Sequence, residues 1–120
     1  MTINKVQKHV LALMESATFN DFNGPTVVAD LKKHRDLWSA AYMTRFDLIP
    51  LRDIPSGDWN VDTLFILPTA GKEAALMKLA EGWSADEVDW MGGDEACNLL
   101  GSWSPEKREN PFSILRVWWD

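Results

Sequence analysis

Cysteine and histidine, residue types that could supply a nucleophile and its base, are rare in this chain of 120 residues. Cys97 is the one cysteine, and His9 or His34 could in principle act as its base. A nucleophile and its base need a third group that orients them, and the spacing assigns none. A lone cysteine on a helix is more often a small buried apolar residue. Two histidines and scattered carboxylates also give no metal-site spacing, so we expect no catalytic residue, metal or other cofactor.

Two short motifs resemble parts of larger catalytic signatures. Residues 92–95, Gly-Gly-Asp-Glu, resemble the signature of diguanylate cyclases, but the upstream acidic motifs of that family are missing and Ala96 replaces its aromatic residue. A glycine turn that leads into a capped helix explains the same residues. Residues 34–36, His-Arg-Asp, match three residues of the kinase catalytic loop without its glycine-rich loop or lysine strand. Neither motif predicts an enzyme.

The acidic residues of the second half are the strongest functional signal. Residues 1–60 contain 7 basic residues (lysine and arginine) and 7 acidic residues (aspartate and glutamate), whereas residues 61–120 contain 5 basic and 11 acidic residues. No basic residue lies between Lys78 and Lys107. A negative surface repels phosphates and favours a basic protein partner over nucleic acid. Tryptophans could anchor such a contact. The predicted partner-binding residues are Trp83, Asp86, Glu87, Asp89, Trp90, Asp94 and Glu95.

A second interpretation of the acidic segment is that it forms a solvated surface over core tryptophans. Trp103 belongs to the same segment, and the chain has seven tryptophans in all. The pair Trp118-Trp119 must point to opposite sides if it lies in a strand, and one side should face the core.

Length and composition predict one ordinary globular domain over residues 1–120. Apolar residues make up 46% of the chain and charged residues 25%, which is typical of a folded protein. The single cysteine excludes an internal disulfide and fits a reducing compartment. We expect a cytoplasmic protein, because no signal-peptide pattern and no membrane-spanning apolar run is visible.

Apolar periodicity predicts two helices in the N-terminal half. Residues 3–17 have helical spacing, with Thr2 as the cap. A second helical pattern begins near Val27 and continues to Tyr42, with Thr26 or Asp30 as candidate caps. Residues 46–60 contain Pro50 and a strong turn, which predicts an extended connector or an edge strand.

The second half predicts alternating strands and helices. Residues 61–67 and 113–119 have the composition of strands, and residues 72–82 that of a helix. Residues 84–91 fit either a capping box or a short strand, and we favour the strand. Asp94 is the expected cap of a helix that ends at Gly101. The fold class is therefore α/β or α+β, with two helices followed by a three-stranded sheet in strand-helix-strand-helix-strand order.

The same half resembles the barstar-like ribonuclease inhibitors. The matching segments are residues 61–67, 72–82, Trp90-Met91-Gly92, Glu95-Ala96-Cys97 and residues 111–118. Residues 1–60 have no counterpart. The resemblance implies a small parallel sheet flanked by helices, and an acidic helix and loop that block a basic nuclease site. It also implies that Trp90, Asp94 and Glu95 contact the partner.

These observations favour a non-enzymatic inhibitor or immunity protein that masks a basic partner such as a toxin nuclease. The first alternative is a regulatory domain that binds a small molecule, with an anion held near Gly92 and Gly93. The second is a homo-oligomer whose exposed tryptophans meet across a symmetry axis.

Overall fold

A computed structural model describes residues 2–19, 21–43, 49–59, 61–101 and 114–120. In these ranges the chain forms helices and strands in an α+β arrangement, and two 3-10 turns at Arg35–Leu37 and Glu81–Trp83. The helices are α1 Lys5–Glu15, α2 Gly24–Lys33, α3 Asp53–Ser56, α4 Glu73–Ala80 and α5 Gly93–Leu100. The strands are β1 Thr18–Phe19, β2 Phe22–Asn23, β3 Trp38–Met43, β4 Thr63–Pro68, β5 Glu87–Met91 and β6 Ile114–Trp118.

The two helices expected near the N-terminus are present, with different ends. Asn4 caps α1, because its side-chain oxygen accepts a hydrogen bond from the Gln7 amide at 2.8 Å. The prediction of Thr2 as the cap was therefore wrong. Asn23 caps α2 in the same way, by accepting from the amide of Thr26 at 3.1 Å.

The second helix is much shorter than predicted, because residues 38–43 form strand β3. The pairing register of β3 shifts between Trp38 and Ala40. Such an irregularity, a β-bulge, adds a residue to one strand and lets side chains three positions apart face the same side. Trp38 and Ala41 are both buried in this way, and their spacing imitates a helix. The Trp38 indole N–H also donates to the carbonyl of Leu31 in α2 at 2.8 Å.

Among the described residues, the main sheet has four antiparallel strands in the order β3-β4-β6-β5. Two expectations are corrected here, since the sheet has a fourth strand and is not the parallel sheet implied by the resemblance. Residues 84–91 do form a strand in part, as Glu87–Met91. The last strand of the chain, β6, lies between β4 and β5. Within the predicted connector, residues 53–56 form one helical turn, while its residues 46–48 and 60 lie outside the described part of the chain.

Alternation along the strands gives the sheet two different faces. The inner face packs against α1, α2 and α4, and its core includes Leu64, Ile66, Leu115 and Val117. The Trp119 ring lies in the same core, with its centroid 4.6 Å from the ring centroid of Phe22. On the opposite, outer face, Met91 and Ile114 pack against Ala96 of α5. The sheet therefore has helices on both sides, and α5 covers part of the outer face.

Candidate functional site

The outer face of β5 and β6 carries a cluster of paired charges. Register places Asp89 opposite Arg116 and Glu87 opposite Trp118. The Arg116 guanidinium donates to both carboxylate oxygens of Asp89, from Nε to Oδ1 at 3.0 Å and from Nη2 to Oδ2 at 3.2 Å. Its Nη2 also donates to Glu87 Oε2 at 2.9 Å. Directly opposed, oppositely charged side chains stabilise an antiparallel strand pair.

This cluster changes the interpretation of the acidic segment. The segment has no basic residue within it, but the neighbouring strand supplies one from a position 27 residues further along the chain than Asp89. Hydrogen bonding to Asp89, assisted by the charges of Asp89 and Glu87 and partly opposed by burial, raises the pKa of Arg116. The guanidinium therefore stays charged at neutral pH and leaves one net negative charge on these three residues.

Glycines set the start of α5, where the remaining predicted carboxylates lie. Gly92 is the extended N-cap residue and Gly93 has a φ of 60°, in the left-handed region that favours glycine. Asp94 and Glu95 occupy the first helical turn, so the prediction of Asp94 as the cap was wrong. Their negative charge is favourable at a helix N-terminus. The same charge would repel an anion there, which argues against the anion site considered near Gly92 and Gly93.

Asp94 and Glu95 differ from the carboxylates on β5 in their partners. Both are exposed, and within the described part of the chain neither takes part in an ion pair or side-chain hydrogen bond. Glu87 and Asp89, in contrast, are fixed by Arg116. The acidic surface thus combines two positioned carboxylates with two that are available for new partners. We call Glu87, Asp89, Asp94 and Glu95, together with Arg116, the acidic surface.

The predicted tryptophan anchors lie on the other side of the sheet from this surface. Trp83 is only 5% exposed, and its indole N–H donates to Asp30 Oδ2 at 2.8 Å. Its carbonyl accepts from the Trp119 indole at 3.0 Å. Trp90 is half-buried on the inner face of β5 and packs against the core. Trp103 lies outside the described residues.

Asp86 has a structural contact just before β5 begins. Its amide donates to the Trp118 carbonyl at 2.9 Å, and its carboxylate accepts from the amide of Asp120 at 2.6 Å.

Of the seven predicted site residues, the fold brings Glu87 and Asp89 together with Glu95, which lines the same cavity as Arg116. Asp94 adjoins Glu95, while Trp83 is buried in the core.

A cavity of about 390 Å³ on the outer face lies beside Arg116. It adjoins a more apolar cavity of about 300 Å³, and both are lined by Tyr42, Phe65 and Leu99. Val6 of α1, which is 74% exposed, and Leu100 of α5 also line the apolar cavity. The sequence did not predict these two adjoining cavities, because Tyr42 was assigned to a helix. The residues that line the larger cavity are Tyr42, Thr63, Phe65, Met91, Glu95, Asn98, Leu99 and Arg116.

The other chemical groups considered from the sequence do not assemble into a site. Cys97 is buried in α5. No group of three metal-binding side chains occurs among the described histidines, cysteines, aspartates and glutamates. None of the described helices has the length and apolar character needed to cross a membrane.

Comparisons with known proteins found no relative that could identify the site. No protein-family model matches the chain, and no curated protein or solved structure does so. The resemblance to the barstar-like family therefore stays a prediction.

Proposed function

We propose that this protein is a non-enzymatic, acidic protein-binding module that masks a basic partner in the cytoplasm. The observation that carries the proposal is the acidic surface itself. Its four carboxylates against one guanidinium, 4 − 1, give a net charge of −3 on neighbouring parts of β5, β6 and α5. Such a surface accelerates the encounter with a basic protein and disfavours acidic competitors and nucleic acids. An inhibitor or immunity protein directed against a toxin nuclease fits this chemistry.

The two kinds of carboxylate have different roles in this mechanism. Arg116 holds Glu87 and Asp89 in fixed positions, so little conformational entropy is lost when they meet the partner. Asp94 and Glu95 can pair with lysine or arginine of the partner without breaking a described internal ion pair. The carboxylates would then occupy positions that nucleic-acid phosphates take on a nuclease. That occupancy would block its substrate.

Affinity capture at two salt concentrations tests the proposal. Tagged protein should retain a basic, stoichiometric partner at low salt and release part of it at high salt, because salt screens exposed charges. Asp94→Asn with Glu95→Gln should weaken capture. The matched control is Asp36→Asn with Asp58→Asn, which removes the same charge from exposed residues of the first half and should leave capture intact. Equal capture by both double variants, or no basic partner at either salt concentration, would overturn the proposal.

The cavity beside Arg116 supports a second candidate function, the binding of a small molecule. Its volume of about 390 Å³ falls in the range of ligand pockets, and apolar walls combine there with the polar side chains of Thr63 and Asn98. A ligand that binds the folded state raises its melting temperature. A thermal-shift screen of metabolites and nucleotides distinguishes the two functions. A saturable shift that is lost in Phe65→Ala would favour the ligand-binding function.

A further inference from the structure

The two adjoining cavities on the outer face of the sheet form one groove with chemically different ends. They share a wall made by Tyr42, Phe65 and Leu99, so a single elongated molecule can occupy both. The rings of Tyr42 and Phe65 meet edge to face, with their centroids 5.8 Å apart, and give this wall a defined aromatic shape. We call the two cavities together the outer groove. The chemistry of its two ends determines which ligand fits it.

The cavity of about 300 Å³ forms the apolar end of the outer groove. Its aliphatic walls come from α1, the sheet and α5, and include Val6, Leu67 and Leu100. Gln7 also lines this end, but its side-chain amide is bonded to the backbone of Ala41 in both directions, at 2.7 and 2.9 Å. This end therefore offers a ligand mainly apolar contact. Burial of apolar surface favours an aliphatic or aromatic group there.

The cavity of about 390 Å³ forms the polar end, where several side chains accept hydrogen bonds. The Thr63 hydroxyl donates its proton to Asp62 Oδ1 at 2.7 Å, so its oxygen can only accept from a ligand. The ionised carboxylate of Glu95 also only accepts, whereas the amide of Asn98 can accept and donate. A ligand group at this end therefore needs hydrogen-bond donors.

The charges at the polar end favour a cation. Arg116 lines this cavity, but its guanidinium is shared between Asp89 and Glu87, whose two carboxylates exceed its single charge. Glu95 adds a further negative charge on the opposite wall, in α5. A phosphate or carboxylate group would be repelled here, whereas an ammonium group is attracted and supplies three N–H donors.

We propose that the outer groove binds an amphipathic amine, a small molecule with an ammonium group at one end and an aliphatic or aromatic group at the other. The ammonium group donates to Glu95 and Thr63, and the apolar group fills the cavity lined by α1 and α5. Aromatic rings such as that of Phe65 also attract cations. This inference rests on the second candidate function, since it names the class of ligand that the cavity takes.

Three probes with the same hydrocarbon tail test the polar end. Octylamine, octanol and octanoate carry a positive, a neutral and a negative head group at neutral pH. NMR titration below the concentrations at which they form micelles gives each Kd and shows which residues respond. Octylamine should bind about fivefold or more tighter than octanoate, with octanol between them, because exposed charge pairs contribute modestly. The largest chemical-shift changes should occur at Phe65, Leu67 and Leu99.

Tail length and one filled cavity test the apolar end. Hexylamine should bind about tenfold or more weaker than octylamine, because it buries two fewer methylene groups. Ala40→Phe places a large side chain in the apolar cavity from an exposed position and should abolish octylamine binding. Ala75→Phe is the matched control, since Ala75 is exposed on α4 and lines neither cavity. Octylamine binding that survives Ala40→Phe, or equal affinity for the two amines, would overturn the inference.

Two neutralised variants locate the ammonium group. Glu95→Gln should weaken octylamine binding about 2- to 5-fold, as expected for one exposed charge pair, and should leave octanol binding unchanged. Asp94→Asn removes the same charge from the neighbouring residue, which lines neither cavity, and should have a smaller effect. Equal losses in the two variants would contradict the assigned position of the ammonium group.

The results also separate this inference from the second candidate function. Tightest binding by octanoate, or equal binding of all three probes in the outer groove, would contradict the amine class while supporting a small-molecule site. No binding of octylamine, together with a saturable thermal shift from another metabolite, would do the same. No response to any probe or any screened metabolite would contradict both.

Discussion

Arg116 on β6 binds Asp89 on β5 through two hydrogen bonds of 3.0 and 3.2 Å, and the same guanidinium reaches Glu87 at 2.9 Å. Two carboxylates only two residues apart are thereby held on one face of an edge strand. Without the guanidinium they would repel each other, because both project from the same side of β5. The link therefore affects both the stability of the strand pair and the charge that it presents.

Replacing Arg116 by methionine should lower the free energy of unfolding by about 1 kcal/mol, because each exposed pair contributes about 0.2–1 kcal/mol. Urea denaturation at low and high salt measures the loss. Salt screens the pairs, so the difference from the unmodified protein should shrink at high salt. Lys72→Met is the matched control, since Lys72 is exposed and has no described ion pair. Equal losses in both variants would contradict the prediction.

The stability that Arg116 contributes has a predictable relation to pH. The pKa of Arg116 is raised, chiefly by its hydrogen bond to Asp89. A group with a raised pKa contributes stability that is fully present below its unfolded pKa and is lost as the pH rises through its folded pKa. Arginine titrates far above neutral pH, so the stability lost in Arg116→Met should be equal at about pH 6 and about pH 9. A loss that grows or shrinks between these two values would show that another group controls it.

Gly24 should tolerate no larger residue, because a β-carbon there would lie 2.1 Å from the Met14 carbonyl oxygen and 2.6 Å from that of Ala17. Both atoms belong to the backbone and cannot turn away. Gly24→Ala should therefore destabilise the protein by about 1–3 kcal/mol or more, as overpacking does. Gly82→Ala serves as the control, since a β-carbon there would meet nothing within 4 Å. Similar melting temperatures for the two variants would contradict this reasoning.

Removing the Gln7 side chain should open the β3 edge. Gln7→Ala leaves the amide and carbonyl of Ala41 without their described partners, at a cost of about 1–3 kcal/mol for each buried group that stays unsatisfied. The variant should also self-associate, because an open edge pairs with other chains. Analytical ultracentrifugation and urea denaturation measure both effects. Lys8→Ala, an exposed neighbour on α1, should stay monodisperse and lose little stability.

The buried Trp83 indole should matter more for stability than the partly exposed Trp118 indole. Trp83→Phe removes the 2.8 Å hydrogen bond to Asp30, while Trp118→Phe removes a 3.3 Å bond to Asp62 at the surface. Losing a hydrogen bond to a charged group in a partly buried site should cost about 1.5–3 kcal/mol. Thermal unfolding of the two variants gives the comparison. A larger loss in Trp118→Phe would contradict the assigned roles.

The sequence predicted much of the local structure, because strong periodicity and capping act over a few residues. The region of α1 and the strands in the second half follow from apolar spacing and composition alone. Strand β3 was missed because its bulge places Trp38 and Ala41 on one face at a helical interval. The antiparallel order of the sheet depends on contacts between distant segments, and no local pattern records such contacts.

The acidic surface was predictable only in part, for the same reason. The carboxylates of residues 87–95 are visible in the sequence, whereas Arg116 joins them only when β6 pairs with β5. For the tryptophans, the sequence shows the residues but not where they lie in the fold. Composition cannot separate an interface anchor from a core residue, and Trp83 proves to be buried through contacts with Asp30 and Trp119.

The position of β6 has a consequence for synthesis of the protein. β6 is the last strand along the chain, yet it lies between β4 and β5, which have no pairing with each other. On the ribosome, β5 therefore has to wait for residues 114–118 to leave the exit tunnel before it can join β4 and β3 in the sheet. We expect α1, α2, β3 and β4 to be able to associate earlier, and the sheet to be completed only after translation of β6.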